Sequence, residues 1–318
     1  MEKKLFSVII PLYNKRDNIE HTLTTVLSQT LSDFEVIVID DGSTDGGGEL
    51  VSKFTDERVR LIAQENKGVS AARNHGVREA LGKYVAFLDA DDEWTEDFLS
   101  ECLRLFEKYP QAKMVSPSYQ VRYAKKIVVP QWKSNSLDEE DCLLGDFFEM
   151  ATGAFWTTNS SCVAIEKSVF SALDRWFPEE ERVYEDFDMW IRIGAKYPVA
   201  HSNKICATYN RVTPNNAREI YRKKVIFSST YFNTLSESIN STCISQQQKE
   251  WLWQIRDRRI VVYVFSLLST RQRKKAKKVI KEWETSKPYK KYKICLKFAT
   301  FMPYFIIDIV QSIRLRIF

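Results

Sequence analysis

Acidic residues follow two apolar runs in the first third of the sequence, and their spacing suits cation binding. Asp40 and Asp41 end one run, and Asp89 and Asp91 follow another with a single residue between them. Carboxylates held this close repel one another and raise each other's pKa unless a cation joins them. Hard oxygen ligands suit Mg²⁺ or Mn²⁺, which usually take substrate phosphates as further ligands. The spacing therefore predicts a site for a metal-bound diphosphate, and the alternative is that these residues only form turns.

Two common phosphate-binding motifs are missing from the positions where they are expected. A dinucleotide-binding fold would place GxGxxG after the first apolar run, where the sequence reads PLYNK. A P-loop would need Lys and then Ser or Thr after its glycines, but Gly46–Gly48 is followed by Glu49 and Leu50. The phosphate charge must then be met by the metal and by cations such as Lys15 and Arg73. For Arg73 the alternative is a position on a solvated helix face.

Short apolar runs alternate with helical patterns over the first 90 residues. Four runs rich in Val, Ile and Phe predict strands buried on both faces of a sheet: Leu5–Pro11, Phe34–Asp40, Val59–Gln64 and Tyr84–Leu88. Apolar residues at helical spacing predict helices between them, such as Val69–Leu81. This order predicts an α/β fold with an open, mostly parallel sheet flanked by helices. In such sheets ligands bind beyond the carboxyl ends of the strands, where the acidic residues stand.

Weaker patterns continue the fold towards residue 210. They predict, in chain order, a helix at Glu96–Tyr109, a strand at Met114–Tyr119, a strand at Ser161–Ile165, a helix at Asp186–Lys196 and a strand at Ile205–Asn210. Residues 123–153 are less regular, and we interpret them as loops on the acceptor side. Beyond about residue 215 the sequence becomes helical and basic, which predicts a distinct C-terminal region over residues 216–318.

Five motifs, taken in order, carry a resemblance to a known family. They are SVIIPLYNK, VIVIDDGSTD, NKGVSAARNHG, FLDADD and YEDFDMW, which begin at residues 7, 36, 66, 87 and 184. This ordered set resembles the family 2 glycosyltransferases, which have the Rossmann-like GT-A fold. The resemblance implies a glycosyltransferase domain over residues 1–215, with a nucleotide-sugar-binding half at 1–110 and an acceptor half at 111–215.

The resemblance implies a site for the sugar donor at the ends of the first strands. Tyr13 would lie against the nucleotide base, with Pro11 and Asn14 lining the same pocket. Asp41 would accept a hydrogen bond from the imide N–H of the base, which suits uracil or thymine. Arg73 would approach the diphosphate or the sugar. The expected donor is therefore a nucleotide-diphosphate sugar, with a UDP-sugar favoured.

The same resemblance implies roles for acids at the fourth strand end and in the YEDFDMW motif. Asp89 would contact the ribose or the sugar, and Asp91 and Asp89 would hold a Mn²⁺ or Mg²⁺ ion. Asp186 would be the general base that takes the proton of an acceptor hydroxyl, so that one displacement inverts the anomeric carbon. Glu185 would contact the substrate. For Glu185 and Asp188 the alternative is a carboxylate favoured at a helix N-terminus by the helix dipole.

A further motif of some family members is missing. Processive synthases of the family carry QxxRW after the acidic motif, and the nearest match here is QKEW at Gln248–Trp251. That segment lacks the Arg and the spacing. The missing motif favours the addition of one sugar over polymerisation. The resemblance implies a metal-dependent hexosyltransferase that acts on a saccharide or lipid-linked acceptor in polysaccharide or cell-surface glycan biosynthesis.

Charge is distributed unevenly along the chain. The 318 residues carry a net charge of +5 and are 44% hydrophobic, which is typical of a folded chain. Residues 251–318 hold 17 Lys and Arg against 4 Asp and Glu, so the excess positive charge lies in the tail and the body is acidic. The uncharged run Phe298–Ile307 is too short to span a bilayer. We therefore predict peripheral contact with an anionic membrane, and the alternative is a solvated basic helix packed on the body.

Cysteine usage and the N-terminus predict the compartment. Six cysteines without a CxxC pair favour a reducing environment, and no apolar signal region follows Met1, so we expect a protein at the cytoplasmic face of the membrane.

Two other functions stay open: a nucleotide-sugar-binding protein without turnover, and a nucleic-acid-binding protein that uses the basic tail. The presence of Asp89, Asp91 and Asp186 argues against the first, and the acidic body argues against the second.

Overall fold

The computed structural model describes residues 4–130, 141–144, 147–152, 158–212 and 227–307. The chain divides into two compact units, Met1–Pro214 and Asn215–Phe318. Part of the predicted acceptor-side segment 123–153 and the predicted boundary at residue 215 lie outside the described residues.

Four parallel strands form the first half of the sheet in the N-terminal unit. They are β1 (Phe6–Leu12), β2 (Phe34–Asp40), β3 (Val59–Ala63) and β4 (Tyr84–Phe87), and they pair in the order β3-β2-β1-β4. The side chains of β1, β2 and β4 are almost all buried, as expected for strands covered on both faces. These strands stand within a residue or two of their predicted positions.

Helices alternate with these strands and bury their apolar sides. They are α1 (Arg16–Leu27), α2 (Gly47–Val51), α3 (Val69–Glu79) and α4 (Phe98–Lys108). Ile19 and Leu23 of α1 and Leu105 of α4 belong to the main core with the strands. Helix α3 packs closely on β1, because a Cβ added at Gly76 would lie 2.4 Å from a methyl carbon of Ile9. Short helix-to-strand distances of this kind favour a glycine.

The second half of the sheet is mixed. The remaining elements are β5 (Glu93–Trp94), β6 (Met114–Tyr123), β7 (Lys126–Val128), β8 (Asp141–Leu144), α5 (Phe147–Ala151), a 3₁₀ turn (Ser160–Cys162), β9 (Val163–Glu166), α6 (Ser168–Ala172), α7 (Glu185–Lys196) and β10 (Val199–Asn210). Strand β9 lies between β4 and β6 and runs antiparallel to both. Strands β6 and β10 are parallel to each other. The sheet therefore has the predicted parallel order in its first half and both directions in its second.

Two late strands differ from their predicted bounds. The strand expected at Ser161–Ile165 begins at Val163, because the two serines before it form the 3₁₀ turn. The strand expected at Ile205–Asn210 begins at Val199. Its pairing with β6 shifts register between Ser202 and Ile205, beside an exposed Asn-Lys pair. Such a bulge interrupts the apolar pattern that marks a strand in a sequence.

The described part of the C-terminal unit is helical, as predicted. Its helices are α8 (Ser229–Asn240), α9 (Gln246–Ser269), α10 (Arg273–Glu282) and α11 (Lys290–Ala299), with a 3₁₀ turn at Lys287–Tyr289. Helices α9, α10 and α11 share a small core, to which Val264 and Leu267 of α9, Ile280 of α10 and Leu296 of α11 contribute. The apolar run at residues 260–268 is thus part of a protein core.

Candidate active site

The carboxyl ends of β1, β2 and β4 meet at one edge of the sheet. Leu12 pairs with Asp40, so β1 and β2 end level, whereas β4 ends at Phe87 opposite Ile9 and its acids follow in the next residues. The amide of Asp41 donates to the carbonyl of Leu12 at 2.8 Å, which holds the first two ends together. The predicted donor residues that follow these strands are therefore brought to one edge, as the sequence pattern required.

Two short connections link the ends of β1 and β2. The backbone N–H of Asn14 donates to Ser43 Oγ at 3.1 Å, and the backbone N–H of Thr44 donates to Asn14 Oδ1 at 2.8 Å. Asn14 has a φ of +52°, a left-handed conformation that Asn tolerates better than most residues. Pro11 is half-buried in β1, whereas Tyr13 is 49% exposed. The ring of Tyr13 thus presents a free aromatic surface beside the strand ends.

Asp41 orders the connection between β3 and α3. Its Oδ1 accepts hydrogen bonds from Gln64 Nε2 at 2.7 Å and from the backbone N–H of Lys67 at 2.8 Å, and its Oδ2 accepts from the N–H of Gly68 at 2.8 Å. His75 Nδ1 is hydrogen-bonded to Gln64 Oε1 at 2.7 Å. The Asp41 carboxylate is buried, so it shapes this loop whether or not it also contacts a base. Local sequence patterns gave no sign of the Gln64 and His75 contacts.

Arg73 joins the end of β4 to the start of α7. Its guanidinium donates to Asp89 Oδ1 at 2.8 Å and to Glu185 Oε1 at 2.9 Å, and it lies over the ring of Phe177. Burial by itself lowers the pKa of Arg73, but the charges of Asp89, Glu185 and Asp186 outweigh burial and raise the pKa. Arg73 is therefore a fixed cation at the centre of the strand-end acids.

The neighbouring Asn74 is also turned inward. Its side-chain amide donates to the carbonyl of Phe177 at 2.8 Å and to Glu179 Oε1 at 2.9 Å, and it accepts from the N–H of Phe177. Both Asn74 and Arg73 are buried. The alternative interpretation of this stretch as a solvated helix face is therefore wrong, because this side of α3 packs against the segment that leads to α7.

Asp91 forms an ion pair with Lys15. Asp91 Oδ2 lies 2.6 Å from Lys15 Nζ, and both side chains are largely buried. The backbone carbonyl of Asp91 accepts from Asn210 Nδ2 at 2.8 Å, which connects this turn to the end of β10. Lys15 thus supplies the positive charge that the sequence analysis expected near the acids.

Asp92 is a third acid at this strand end, to which the sequence analysis gave no role. It is fully buried and accepts from Ser161 Oγ at 2.5 Å and from the N–H of Asn210 at 2.8 Å. Burial raises the pKa of Asp92 well above its usual value, and the negative charges of Asp91 and Asp89 raise it further. Asp92 therefore favours its protonated form, while Asp91 and Asp89 are ion-paired with Lys15 and Arg73.

A divalent cation at this turn would have two protein carboxylates as ligands, Asp89 and Asp91, which here are ion-paired with Arg73 and Lys15. Among the described residues no three His, Cys, Asp or Glu side chains are grouped as a complete metal site. Asp89 is one-third exposed and Asp91 stands two residues further on, so both offer hard oxygen ligands at the same turn. Mg²⁺ and Mn²⁺ commonly bind one or two carboxylates and complete their shell with water and substrate phosphates.

Asp186 stands in the first turn of α7 with properties suited to proton transfer. Its Oδ1 accepts from the N–H of Phe187 at 2.8 Å, and its Oδ2 accepts from Ser160 Oγ at 3.3 Å. Burial raises the pKa of Asp186 to about 7, the charge of Glu185 adds to this rise, and Arg73 opposes it. A carboxyl group with a pKa near the working pH can both accept and release a proton.

Asp188 and Gln248 have structural contacts. Asp188 is fully buried and forms ion pairs with Arg192 at 2.9 Å and Arg175 at 3.2 Å, so more than the helix dipole holds it. Gln248 Oε1 accepts from the N–H of Ser245 at 2.8 Å, and Ser245 Oγ accepts from the N–H of Gln248. Gln248 therefore caps the N-terminus of α9, as expected for an Sxx[EQ] pattern.

A comparison with protein-family models identifies the family of the N-terminal region. Residues 7–156 match the family model described as glycosyl transferase family 2. This region belongs to glycosyl transferase family 2. The match contains β1 to β4 with the acids at their carboxyl ends, and it confirms the resemblance found in the sequence motifs. Asp186 lies beyond the matched residues.

One curated relative and two solved structures show how far the likeness extends. The Escherichia coli protein UDP-Glc:alpha-D-GlcNAc-diphosphoundecaprenol beta-1,3-glucosyltransferase WfaP is 29% identical over 232 residues, 71% of this chain and 86% of that protein. S. aureus TarS 1–349 in complex with UDP-GlcNAc has a TM-score of 0.68 at 18% identity, covering 84% of this chain and 75% of that chain. A mannosyltransferase from Pyrobaculum calidifontis, in complex with GDP-Man and Mn²⁺, has a TM-score of 0.60 at 18% identity, covering 98% and 88%. These structures confirm the GT-A fold.

This chain covers less than half the length of other curated relatives that it matches. It spans 31%, 41% and 33% of the length of three of them. Over the described ranges, no helix combines the length and the apolar character needed to cross a bilayer. All six cysteines fall within those ranges, and all are free thiols.

Proposed function

We propose that this protein transfers one sugar from a nucleotide-diphosphate sugar, with a UDP-sugar favoured, to a saccharide or lipid-linked acceptor with inversion. One observation supports this above all: a half-buried Asp186 with a pKa near 7 is linked through Arg73 and Glu185 to the acids at the strand ends. A proton acceptor and a diphosphate site thus lie on one connected set of side chains. The relative WfaP, named for transfer to GlcNAc-diphosphoundecaprenol, supports a lipid-linked acceptor.

The donor binds across the ends of β1, β2 and β4. The exposed ring of Tyr13 stacks on the base, and Pro11 and Asn14 line the pocket. The remaining acceptor capacity of Asp41 meets the imide N–H of uracil, while its other contacts hold the loop in place. Asp89 contacts the ribose or the sugar. The complex of S. aureus TarS with UDP-GlcNAc supports this class of donor.

Asp91 and Asp89 would hold Mn²⁺ or Mg²⁺ together with the diphosphate. When bound, the ion would neutralise the charge that develops on the departing nucleoside diphosphate, so that no protonated acid is needed there. Lys15 and Arg73 lie against the same two carboxylates and add positive charge at that place. The Mn²⁺ complex of the P. calidifontis mannosyltransferase supports a metal in this fold.

Asp186 takes the proton from the acceptor hydroxyl. The oxygen of that hydroxyl forms a bond to the anomeric carbon as the bond from that carbon to the diphosphate oxygen breaks. The electron pair of the broken bond leaves with the nucleoside diphosphate, and the proton stays on Asp186 until water removes it. A single displacement of this kind inverts the anomeric carbon. Glu185 stays ion-paired with Arg73 and positions it beside the substrate.

The test is a panel of nucleotide sugars offered with Mn²⁺ and a lipid-linked acceptor. The donor should raise the melting temperature by mass action, and the same donor should give a product one sugar longer. A long polymer as the product would contradict the addition of a single sugar. Stabilisation by a donor without any product would favour a sugar-binding protein that lacks turnover.

We further propose that the C-terminal unit holds the enzyme at the cytoplasmic face of an anionic membrane. Five large apolar side chains form an exposed row on α11 and the turn after it: Ile294, Phe298, Phe301, Met302 and Phe305, each between 40% and 74% exposed. Ile294 and Phe298 are four residues apart and share one side of α11, and the other three follow the end of that helix. We call this set the apolar row.

Basic residues border the apolar row. Lys277 Nζ of α10 lies 4.3 Å from the centre of the Phe301 ring. Residues 271–307 contain twelve Lys and Arg and only two acids. Tyr304 does not belong to the row, because it is half-buried and its ring packs under the guanidinium groups of Arg271 and Arg273. A basic surface with an apolar centre is typical of proteins that lie in the membrane interface.

Vesicle sedimentation tests this location with point variants, because Leu296 and Ile307 contribute to the core and a truncation would disrupt it. Replacing Phe298, Phe301 and Phe305 by Ser should remove the salt-resistant part of binding to anionic vesicles. Ile127→Ser in β7, another exposed apolar residue, is the matched control and should bind like the parent. Unchanged sedimentation of the triple variant, or tighter binding to an oligonucleotide than to vesicles, would contradict the proposal.

A further inference from the structure

Two adjacent serines, Ser160 and Ser161, lie between the proposed general base Asp186 and the acids that follow β4. They belong to the 3₁₀ turn Ser160–Cys162, which leads directly into β9. Because Val163 of β9 pairs with Phe87 of β4, the turn lies beside the carboxyl end of β4, where the strand-end acids begin. Both serines are buried.

Ser160 contacts the carboxylate of Asp186. Its Oγ donates to Asp186 Oδ2 at 3.3 Å, while the N–H of Phe187 donates to Asp186 Oδ1 at 2.8 Å. Each carboxylate oxygen therefore has one donor, from the turn on one side and from α7 on the other. Two donors on the two oxygens fix the plane of a carboxylate as well as its position.

Ser161 contacts the acids that follow β4. Its Oγ donates to Asp92 Oδ2 at 2.5 Å and accepts from the backbone N–H of Asp89 at 3.1 Å. Its carbonyl accepts from Trp94 Nε1 at 2.6 Å. The two serines thus point to different acids although they are neighbours in the sequence.

We propose that this serine pair sets the position of the general base relative to the donor acids, with Ser160 as a positioning residue for Asp186 and Ser161 as one for the turn that contains Asp89. The inference rests on the proposed transferase function. A carboxylate on α7 and a turn after β4 are separated by about 95 residues of chain, so their relative position depends on contacts of this kind. The turn supplies both contacts from two consecutive residues.

The charges around Asp186 give the two serines different expected effects. Glu185 and Asp89 face it with negative charge, Arg73 faces it with positive charge, and the buried thiol of Cys162 lies near it. Ser160 donates to the ionised carboxylate and stabilises the form that accepts a proton. Loss of this donor should raise the pKa of Asp186, so that transfer needs a higher pH. Among the described residues, no hydrogen bond joins Ser161 to Asp186.

The experiment compares pH profiles of transfer for Ser160→Ala and Ser161→Ala in the full chain. Ser160→Ala should move the acid side of the kcat profile upward by roughly half to one pH unit, and leave the KM for the donor unchanged. Ser160→Thr keeps the hydroxyl and should restore the parent profile. Ser161→Ala should raise the KM for the donor and leave the acid side of the kcat profile in place.

The outcomes separate this inference from the function on which it rests. A parent enzyme that transfers sugar, with Ser160→Ala showing the same kcat profile, would overturn the positioning role alone. A parent inactive with every donor would overturn the proposed function and this inference with it. If Ser160→Ala does not fold, Ser160→Cys replaces it in the experiment. Cysteine is nearly isosteric with serine and a weaker donor, so Ser160→Cys should shift the kcat profile in the same direction. An unshifted profile for Ser160→Cys would then overturn the positioning role.

Discussion

The strand ends of the N-terminal unit and the helix junction of the C-terminal unit both bury carboxylates, but they surround them differently. In the C-terminal unit, Asp257 is fully buried and accepts from Trp283 Nε1 at 2.7 Å and from the N–H and Oγ of Ser286 at 2.7 and 2.6 Å. At the strand ends, by contrast, burial and neighbouring acids raise the pKa of both Asp92 and Asp186.

The difference separates a structural carboxylate from acids suited to chemistry. Three donors satisfy Asp257 and join α9 to the segment after α10, so its burial stabilises the fold. The strand ends instead place Asp89, Asp91 and Asp92 within four residues, which disfavours their joint ionisation. Perturbed acids of this kind concentrate at functional sites. The raised pKa values of Asp92 and Asp186 thus distinguish the strand-end region from the buried Asp257 of the C-terminal unit, which three donors satisfy.

The largest expected effect is on catalysis at Asp186. Asp186→Asn should keep donor binding and lower the rate of transfer by roughly 10²-fold to 10⁴-fold, because the group that takes the proton is lost. Product formation at saturating donor measures the rate, and calorimetry with the donor measures binding. Asp188→Asn, two residues along the same helix, should instead destabilise the fold because it removes the negative charge that forms ion pairs with Arg192 and Arg175. Near-parent transfer by Asp186→Asn would place the base elsewhere.

A smaller effect is expected on the stability of the C-terminal unit. Asp257→Ala leaves the buried indole N–H of Trp283 and the N–H of Ser286 without their acceptor, and should lower the free energy of unfolding by about 2–3 kcal/mol. Urea unfolding followed by tryptophan fluorescence measures the loss. Glu282→Ala, an exposed acid of α10, is the control and should change it by less than about 0.5 kcal/mol. Equal effects of the two substitutions would remove the contrast between the regions.

Some of these features were predicted from the sequence, and others are visible only in the structure. Apolar runs predicted β2 with identical bounds, because a strand buried on both faces carries a continuous signal. The parallel order of the strands also predicted that the acids after β2 and β4 lie at one edge of the sheet. The ion pair of Arg73 with Glu185 joins residues 112 positions apart, and the contact of Ser160 with Asp186 joins residues 26 apart. Such contacts depend on how elements pack, and no local spacing encodes them.

The smallest expected effect is a pH dependence of stability at Asp186. Its pKa rises from 3.8 unfolded to about 7 folded, so the folded state holds a proton between these values that the unfolded state releases. The contribution of Asp186 to stability is therefore full below pH 4 and is lost as the pH rises through 7. Asp186→Asn should raise the melting temperature more at pH 8 than at pH 5, by roughly 2–4 °C for each kcal/mol relieved. An equal difference at both pH values would contradict the raised pKa.

Metal-dependent binding of a nucleoside diphosphate tests the account most directly. Calorimetry would titrate UDP into the parent and into Asp91→Asn, each with Mn²⁺ and each with EDTA. We predict that Mn²⁺ tightens binding to the parent by at least about tenfold, equivalent to roughly 1.4 kcal/mol. Asp91→Asn should lose this gain while keeping its melting temperature within a few degrees of the parent. Equal affinity of the parent for UDP with Mn²⁺ and with EDTA would contradict the assignment of the strand-end acids as a cation and diphosphate site.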